Sequence, residues 1–233
     1  MLKRIGILGG LTPESTVTYY QHIVHSWQRQ HHDHRYPEIV VYSVSFQQFE
    51  DWMEAGEWEA IGDGLSDGIG RLAAAGADFA VMATNTMHLL FDRLQAASPI
   101  PILSIVDVTA GAIKEARLAT VGLLGTRFTM EKPFYAEGLA RHGIATLVPS
   151  AAERGDIHRV IMEELSMGVL REDSRARYLD IIAALAARGA EGIVLGCTEI
   201  PLLVTPAHTA VPLFDTAVLH AEAALALASR ATS

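Results

Sequence analysis

The chain has 233 residues, half of them hydrophobic, a formal net charge of −9 and no basic block. That supplies a core for one large domain or two of about 100 residues, and argues against a nucleic-acid or anionic-membrane surface. One cysteine excludes an internal disulfide and fits a reducing compartment.

The apolar run 5–8 behind Lys3 and Arg4 is too short for a signal-peptide core, and no segment approaches about 18 consecutive apolar residues. The expected location is the cytoplasm. Residues 4–8 read as a strand, followed by Gly9, Gly10 and a helix at 16–30 with Pro13 suited to its first turn. Strands follow at 39–46, 79–83 and 102–105, with a helix at 58–75. The second half repeats the alternation, with strands at 119–124, 144–148, 192–196 and 211–214 and helices at 133–141, 156–167 and 173–188. Alternation of this kind predicts an α/β fold with parallel sheets. Segments around 105–115 and 205–212 read as crossovers. The expected division is a lobe over 1–105, a lobe over 106–214, and a final helix at 215–233 packed back on the first lobe.

An internal repeat supports two lobes. Residues 73–78 (AAAGAD) align with 186–191 (AARGAE), each a helix end, a glycine, and an acidic entry to an apolar strand. Continued without a gap, Thr84 falls on Cys197, Asn85 on Thr198 and Thr86 on Glu199. Ligands of open α/β sheets bind at the carboxyl ends of strands, so the repeat offers Thr84 and Cys197 to one site.

Cys197 admits two readings. A lone cysteine is ordinarily a buried small hydrophobe. At a strand end before a helix start, nearby N–H groups and the helix dipole lower a thiol's pKa from about 8.5, which suits a nucleophile or proton-transfer base. Thr84, Asn85 and Thr86 are ordinary helix caps or an anion cradle. The glycines at 6, 9 and 10 fit no nucleotide fingerprint. His31, His32 and His34 lack metal-ligand spacing and read as a solvated loop. His88 and His220 read as satisfied interior histidines, and Asp215-Thr216 as a cap on the last helix.

The segments IGILGGLTPEST, ATNTMH, GLLGTRFTM, VLGCTEIPLL and FDTAVLHAE together resemble the cofactor-independent aspartate/glutamate racemase family, over nearly the whole chain. The resemblance implies two pseudo-symmetric α/β lobes, each a mostly parallel sheet flanked by helices, with the active site in the cleft between them. It implies an amino-acid substrate, aspartate or glutamate, no pyridoxal phosphate and no metal, and it is compatible with a homodimer. Typical members carry one cysteine per lobe; here Thr84 takes the first position, which resembles a Thr/Cys subgroup. By that resemblance Cys197 removes the α-proton of the L-isomer and the Thr84 side delivers a proton to the opposite face. Asn85, Thr86 and Thr198 match carboxylate-binding positions, and Leu11, Thr12, Gln47 and Thr126 match loop positions lining the cleft. Some aspartate racemases place an Arg and a Lys where this chain has SFQQ (45–48) and ELSM (164–167); neither cation is present there, and Arg127 is a candidate substitute.

Two other functions stay open on sequence alone. One is a one-cysteine enzyme like the arylmalonate decarboxylases. The other is a protein that binds a carboxylate metabolite without turnover.

Overall fold

The computed structural model describes residues 2–230. The chain divides into two compact units. One runs to Ile105 and resumes at His220; the other is Val106–Leu219.

The first unit begins β1 (Ile5–Gly9), α1 (Pro13–His31), β2 (Ile39–Ser43), α2 (Phe46–Ala55), α3 (Trp58–Ala74) and β3 (Phe79–Met82). A 3-10 turn (Thr86–Leu90), α4 (Phe91–Ala97) and β4 (Ile102–Leu103) follow. The strands are parallel, in the order β2-β1-β3-β4. β1 and β3 are buried along their whole length, which is why they read as unbroken apolar runs. α3 covers them with Ile61, Leu65, Ile69 and Leu72, a one-faced helical spacing. Each such side chain, fully buried, contributes roughly 1.5–3 kcal/mol.

The second unit contains α5 (Ile105–Glu115, beginning on the boundary residue), β5 (Thr120–Gly125), α6 (Arg127–Glu131), α7 (Pro133–Arg141), β6 (Ala145–Leu147) and α8 (Ala151–Glu163). A 3-10 turn (Leu165–Met167), α9 (Glu172–Ala187), β7 (Gly192–Gly196), α10 (Ile200–Leu203) and β8 (Leu213–Asp215) lead into α11 (Thr216–Ser229). Its sheet is also parallel, in the order β6-β5-β7-β8. The two sheets therefore share one topology.

The repeat falls on equivalent positions of that topology. Gly76 and Gly189 end α3 and α9 in the left-handed conformation, with φ of 88° and 102°, which suits glycine. The acidic residue of each copy then holds the start of the neighbouring strand. The Asp78 carboxylate accepts the Arg4 amide at 2.6 Å, and that of Glu191 accepts the Ala119 and Thr120 amides at 2.7 and 2.8 Å. Met82 pairs with Leu8 in one sheet and its counterpart Leu195 pairs with Leu124 in the other.

Some expectations change. Residues 205–212 lie within the second unit, and the chain returns to the first inside α11, between Leu219 and His220. α8 starts at Ala151 because Ser150 and Glu153 form a reciprocal capping box. The helix that Thr84, Asn85 and Thr86 would cap begins as a 3-10 turn, with α4 starting only at Phe91. Asp215 does cap α11, accepting the Ala217 and Val218 amides at 3.0 and 3.1 Å. Residues 231–233 of the expected final helix lie outside the described residues. Among the described residues no helix is long and apolar enough to cross a membrane.

Candidate active site

In each sheet the chain reverses its order of strand addition between the two central strands, β1/β3 and β5/β7. Loops diverge at such a switch point and leave a crevice at the carboxyl ends. In the first unit Leu11 and Thr12 follow β1 while Thr84, Asn85 and Thr86 follow β3, and all five are buried. Ser15 ties the two loops, with its Oγ 2.8 Å from the carbonyls of both Thr12 and Ala83. The backbone of Thr84 is held on both sides. Its amide donates to the Met82 carbonyl at 2.8 Å, and its carbonyl lies 2.9 Å from Nδ1 of His88. Asn85 occupies the N-cap position of the 3-10 turn, yet its side chain makes no capping bond there, so the capping reading loses support. Gln47 stands apart from this group. It is exposed at the start of α2 and its Nε2 donates to Asp51 at 2.9 Å.

In the second unit Thr126 follows β5 and caps α6, its hydroxyl accepting the Thr129 amide at 3.3 Å. Cys197 and Thr198 follow the adjacent β7. Cys197 is buried among Leu124, Ile157, Tyr178 and Ile200, as the ordinary reading expects. Its sulfur is nevertheless engaged: Sγ donates to Oε2 of Glu199 across 2.9 Å. The Thr198 hydroxyl lies 3.1 and 3.0 Å from the two oxygens of the same carboxylate. Glu199 is itself buried. Its role is not marked in the sequence, although the repeat sets it against Thr86, a carboxylate where the other copy has a hydroxyl.

This contact corrects the expected thiol chemistry. Burial pushes the Cys197 thiol well above its ordinary pKa, and the Glu199 carboxylate pushes it further by charge and hydrogen bond. The amides of Glu199 and Thr198 favour the thiolate but are outweighed. α10 has only four residues, so its dipole adds little. In the free protein Cys197 is a thiol with a carboxylate in place to receive its proton.

The stretch 164–167, compared above with a cation-bearing position, and Arg127, named as the substitute, do not form a buried cation site. Glu164 is buried, bonded by the Ser174 hydroxyl at 2.6 Å and by Arg159 at 3.2 Å. Arg127 is exposed, its guanidinium 5.9 Å from the centre of the Phe128 ring. Among the described residues the buried charged side chains include these two glutamates and no lysine or arginine.

Residues 8–224 match the family model for Asp/Glu/hydantoin racemases. The chain belongs to that family. It is 22% identical over 228 residues to the broad-specificity amino-acid racemase RacX of Bacillus subtilis (strain 168), covering 94% of this chain and 95% of that one. A Yersinia pestis protein proposed as an Asp/Glu racemase has a crystal structure that matches with a TM-score of 0.91 and 40% identity, over 98% of this chain and 100% of that one. An aspartate racemase homologue from Pyrococcus horikoshii OT3 matches with a TM-score of 0.86 and 35% identity, over 98% and 100%. Membership of the racemase family carries the isomerase class, amino-acid racemase type. The two parallel four-stranded sheets flanked by helices are the α/β architecture that the resemblance implied.

Proposed function

We propose that this chain racemises an amino acid by α-proton transfer, with Cys197 as the base and Thr84 serving the opposite face, and that aspartate and glutamate are the first substrates to test. The observation that supports this most is the Cys197–Glu199 contact, because a thiol needs a proton acceptor before it can take a proton from carbon. The equivalent placement of Thr84 at the end of β3 and Cys197 at the end of β7 supports the pairing.

The steps balance as follows. The Cys197 thiol gives its proton to Glu199 and becomes a thiolate. The thiolate takes the α-proton of the L-isomer, leaving a carbanion whose charge spreads onto the substrate carboxylate. Asn85, Thr86 and Thr198 are proposed to hold that charge, with Leu11, Thr12, Gln47 and Thr126 around the substrate. One preorganised donor of this kind typically contributes about 2.7–4 kcal/mol. A proton then reaches the opposite face from the Thr84 hydroxyl or a water it holds, and solvent restores that side. Glu199 loses its proton to solvent, so each turnover exchanges one proton with water. Enantiomers are isoenergetic in bulk water, so any preference for one direction is kinetic.

Proton NMR in D₂O with a panel of L- and D-amino acids tests this. An α-proton signal should be lost from aspartate or glutamate, and Cys197→Ser should abolish that loss while keeping the fold. Near-normal exchange in Cys197→Ser would sink the mechanism. Exchange of neutral amino acids with aspartate and glutamate inert would redirect the substrate assignment.

A further inference from the structure

We infer that His88 is a positioning residue, whose imidazole fixes the backbone of Thr84 in the attitude from which the second face of the substrate is served. This role presupposes Thr84 as the second catalytic position.

The 3-10 turn after Thr84 does not supply an amide for its carbonyl in the usual way. The His88 amide goes to the Asn85 carbonyl at 3.0 Å, and the His88 ring takes the Thr84 carbonyl instead, with Nδ1 at 2.9 Å. A carbonyl only accepts, so Nδ1 carries a proton. Nε2 lies 3.2 Å from the Ile105 amide nitrogen, which only donates, so Nε2 is bare. The two partners together select one state of the ring, the neutral Nδ1–H tautomer. The ring is buried, stacked on Phe91 at 5.7 Å between centroids and edge-on to His220 at 6.0 Å. His220 takes the opposite tautomer: Nε2 donates to the Leu103 carbonyl at 3.0 Å, and Nδ1 accepts the Tyr19 hydroxyl at 2.7 Å.

Two observations separate His88 from an ordinary interior histidine. Its partners are the backbone of Thr84 and the backbone of Ile105, the last residue before the chain leaves the first unit. And the second unit manages without it. The repeat that sets Thr84 on Cys197 sets His88 on Pro201, and there the Cys197 carbonyl takes the Ile200 amide at 3.2 Å. A bond that this topology required would recur in both copies. This one occurs only beside the hydroxyl, whose short reach makes its aim matter.

Asparagine can place its amide near the level of Nδ1 and keep the Thr84 bond; glutamine reaches the level of Nε2 and keeps only the Ile105 bond. His88→Gln should lower net L-to-D conversion by about 10²-fold, the cost of displacing a reacting group by about 1 Å. It should leave Cys197-dependent exchange of the L-isomer's α-proton in D₂O within about threefold of wild type, since that half-reaction does not use Thr84. His88→Asn should retain both. Conversion and exchange falling together in His88→Gln, or neither falling, would overturn the inference. A second measurement needs no variant. Nitrogen-15 NMR of the histidine rings in the unaltered protein should find the neutral His88 ring protonated on Nδ1 with Nε2 bare, and the Nε2–H tautomer would also overturn it. Absence of any Cys197-dependent exchange in the unaltered protein would instead fail the racemase reading, and the ring's tautomer would still be read.

Discussion

The thiol of Cys197 and the carboxylate of Glu199 face each other across 2.9 Å in the buried end of β7. The carboxylate has two opposing effects: its charge disfavours the resting thiolate, and its oxygen offers the thiol proton a destination. Glu199→Gln separates them. Alkylation of Cys197 by iodoacetamide at pH 7.5 should speed up, because the charge holding the thiol protonated is gone. Turnover should fall by about 10²-fold or more, because an amide cannot take the proton. Rates that move in the same direction would show that Glu199 is not the acceptor. In the unaltered protein, alkylation should stay slow through about pH 8 and rise only above the ordinary thiol range of about 8.5.

Asn85 is the clearest case for separating binding from capping. It sits at a cap position without making a cap bond. Asn85→Ala should therefore lower kcat/KM by about 10²–10³, as for loss of one oxyanion donor, with little change in Tm. A fall in Tm with kcat/KM intact would restore the capping role.

Under the proposed mechanism, Thr84→Cys should supply a second thiol for proton transfer. The unaltered protein should exchange the α-proton of an L-substrate much faster than that of its D-enantiomer, since a hydroxyl is a poor base toward carbon. The variant should gain exchange from the D-side. Equal rates from both enantiomers in the unaltered protein, or no gain in the variant, would remove Thr84 from the mechanism.

His220 predicts a pH dependence of stability. Burial, with a smaller contribution from His88, lowers its pKa from 6.5 to about 3. The unfolded chain binds this proton below about pH 6.5 and the folded chain does not until about pH 3, so stability is full above 6.5 and declines as pH falls between the two. The loss at pH 4.5 should be on the order of a few kcal/mol. Denaturant unfolding at pH 7 and 4.5 should show a smaller difference for His220→Gln than for wild type; the same difference in both would refute the assignment.

The strands of both sheets and their parallel α/β alternation are legible in the sequence, from apolar runs, Gly76 and Gly189 after their helices, and the acids Asp78 and Glu191 before β3 and β7; the order of the strands is not, because it depends on pairing between distant segments. The same repeat singled out Thr84 and Cys197. What escaped notice depends on side-chain direction. Glu199 reads as a helix-start acid until its carboxylate is seen turned back to the thiol. The sequence points to a lowered Cys197 pKa and the structure to a raised one, because position near N–H groups is legible in a sequence while burial and the aim of a carboxylate two residues on are not. The start of α8 is legible as Ser150-x-x-Glu153, whereas apolar spacing alone places it five residues too late, at 156.

The chain leaves its first unit at Ile105 and comes back to it at His220. The second unit is thus inserted along the chain within the first, and the segment from His220 completes what the segment up to Ile105 begins. The Lys3 amide donates to the Ala228 carbonyl at 3.0 Å, Tyr19 is satisfied by His220, and His22 meets Glu222 at 3.2 Å. A cut after Leu219 would strip Tyr19 and His22 of these partners, while leaving the run Val106–Leu219 whole.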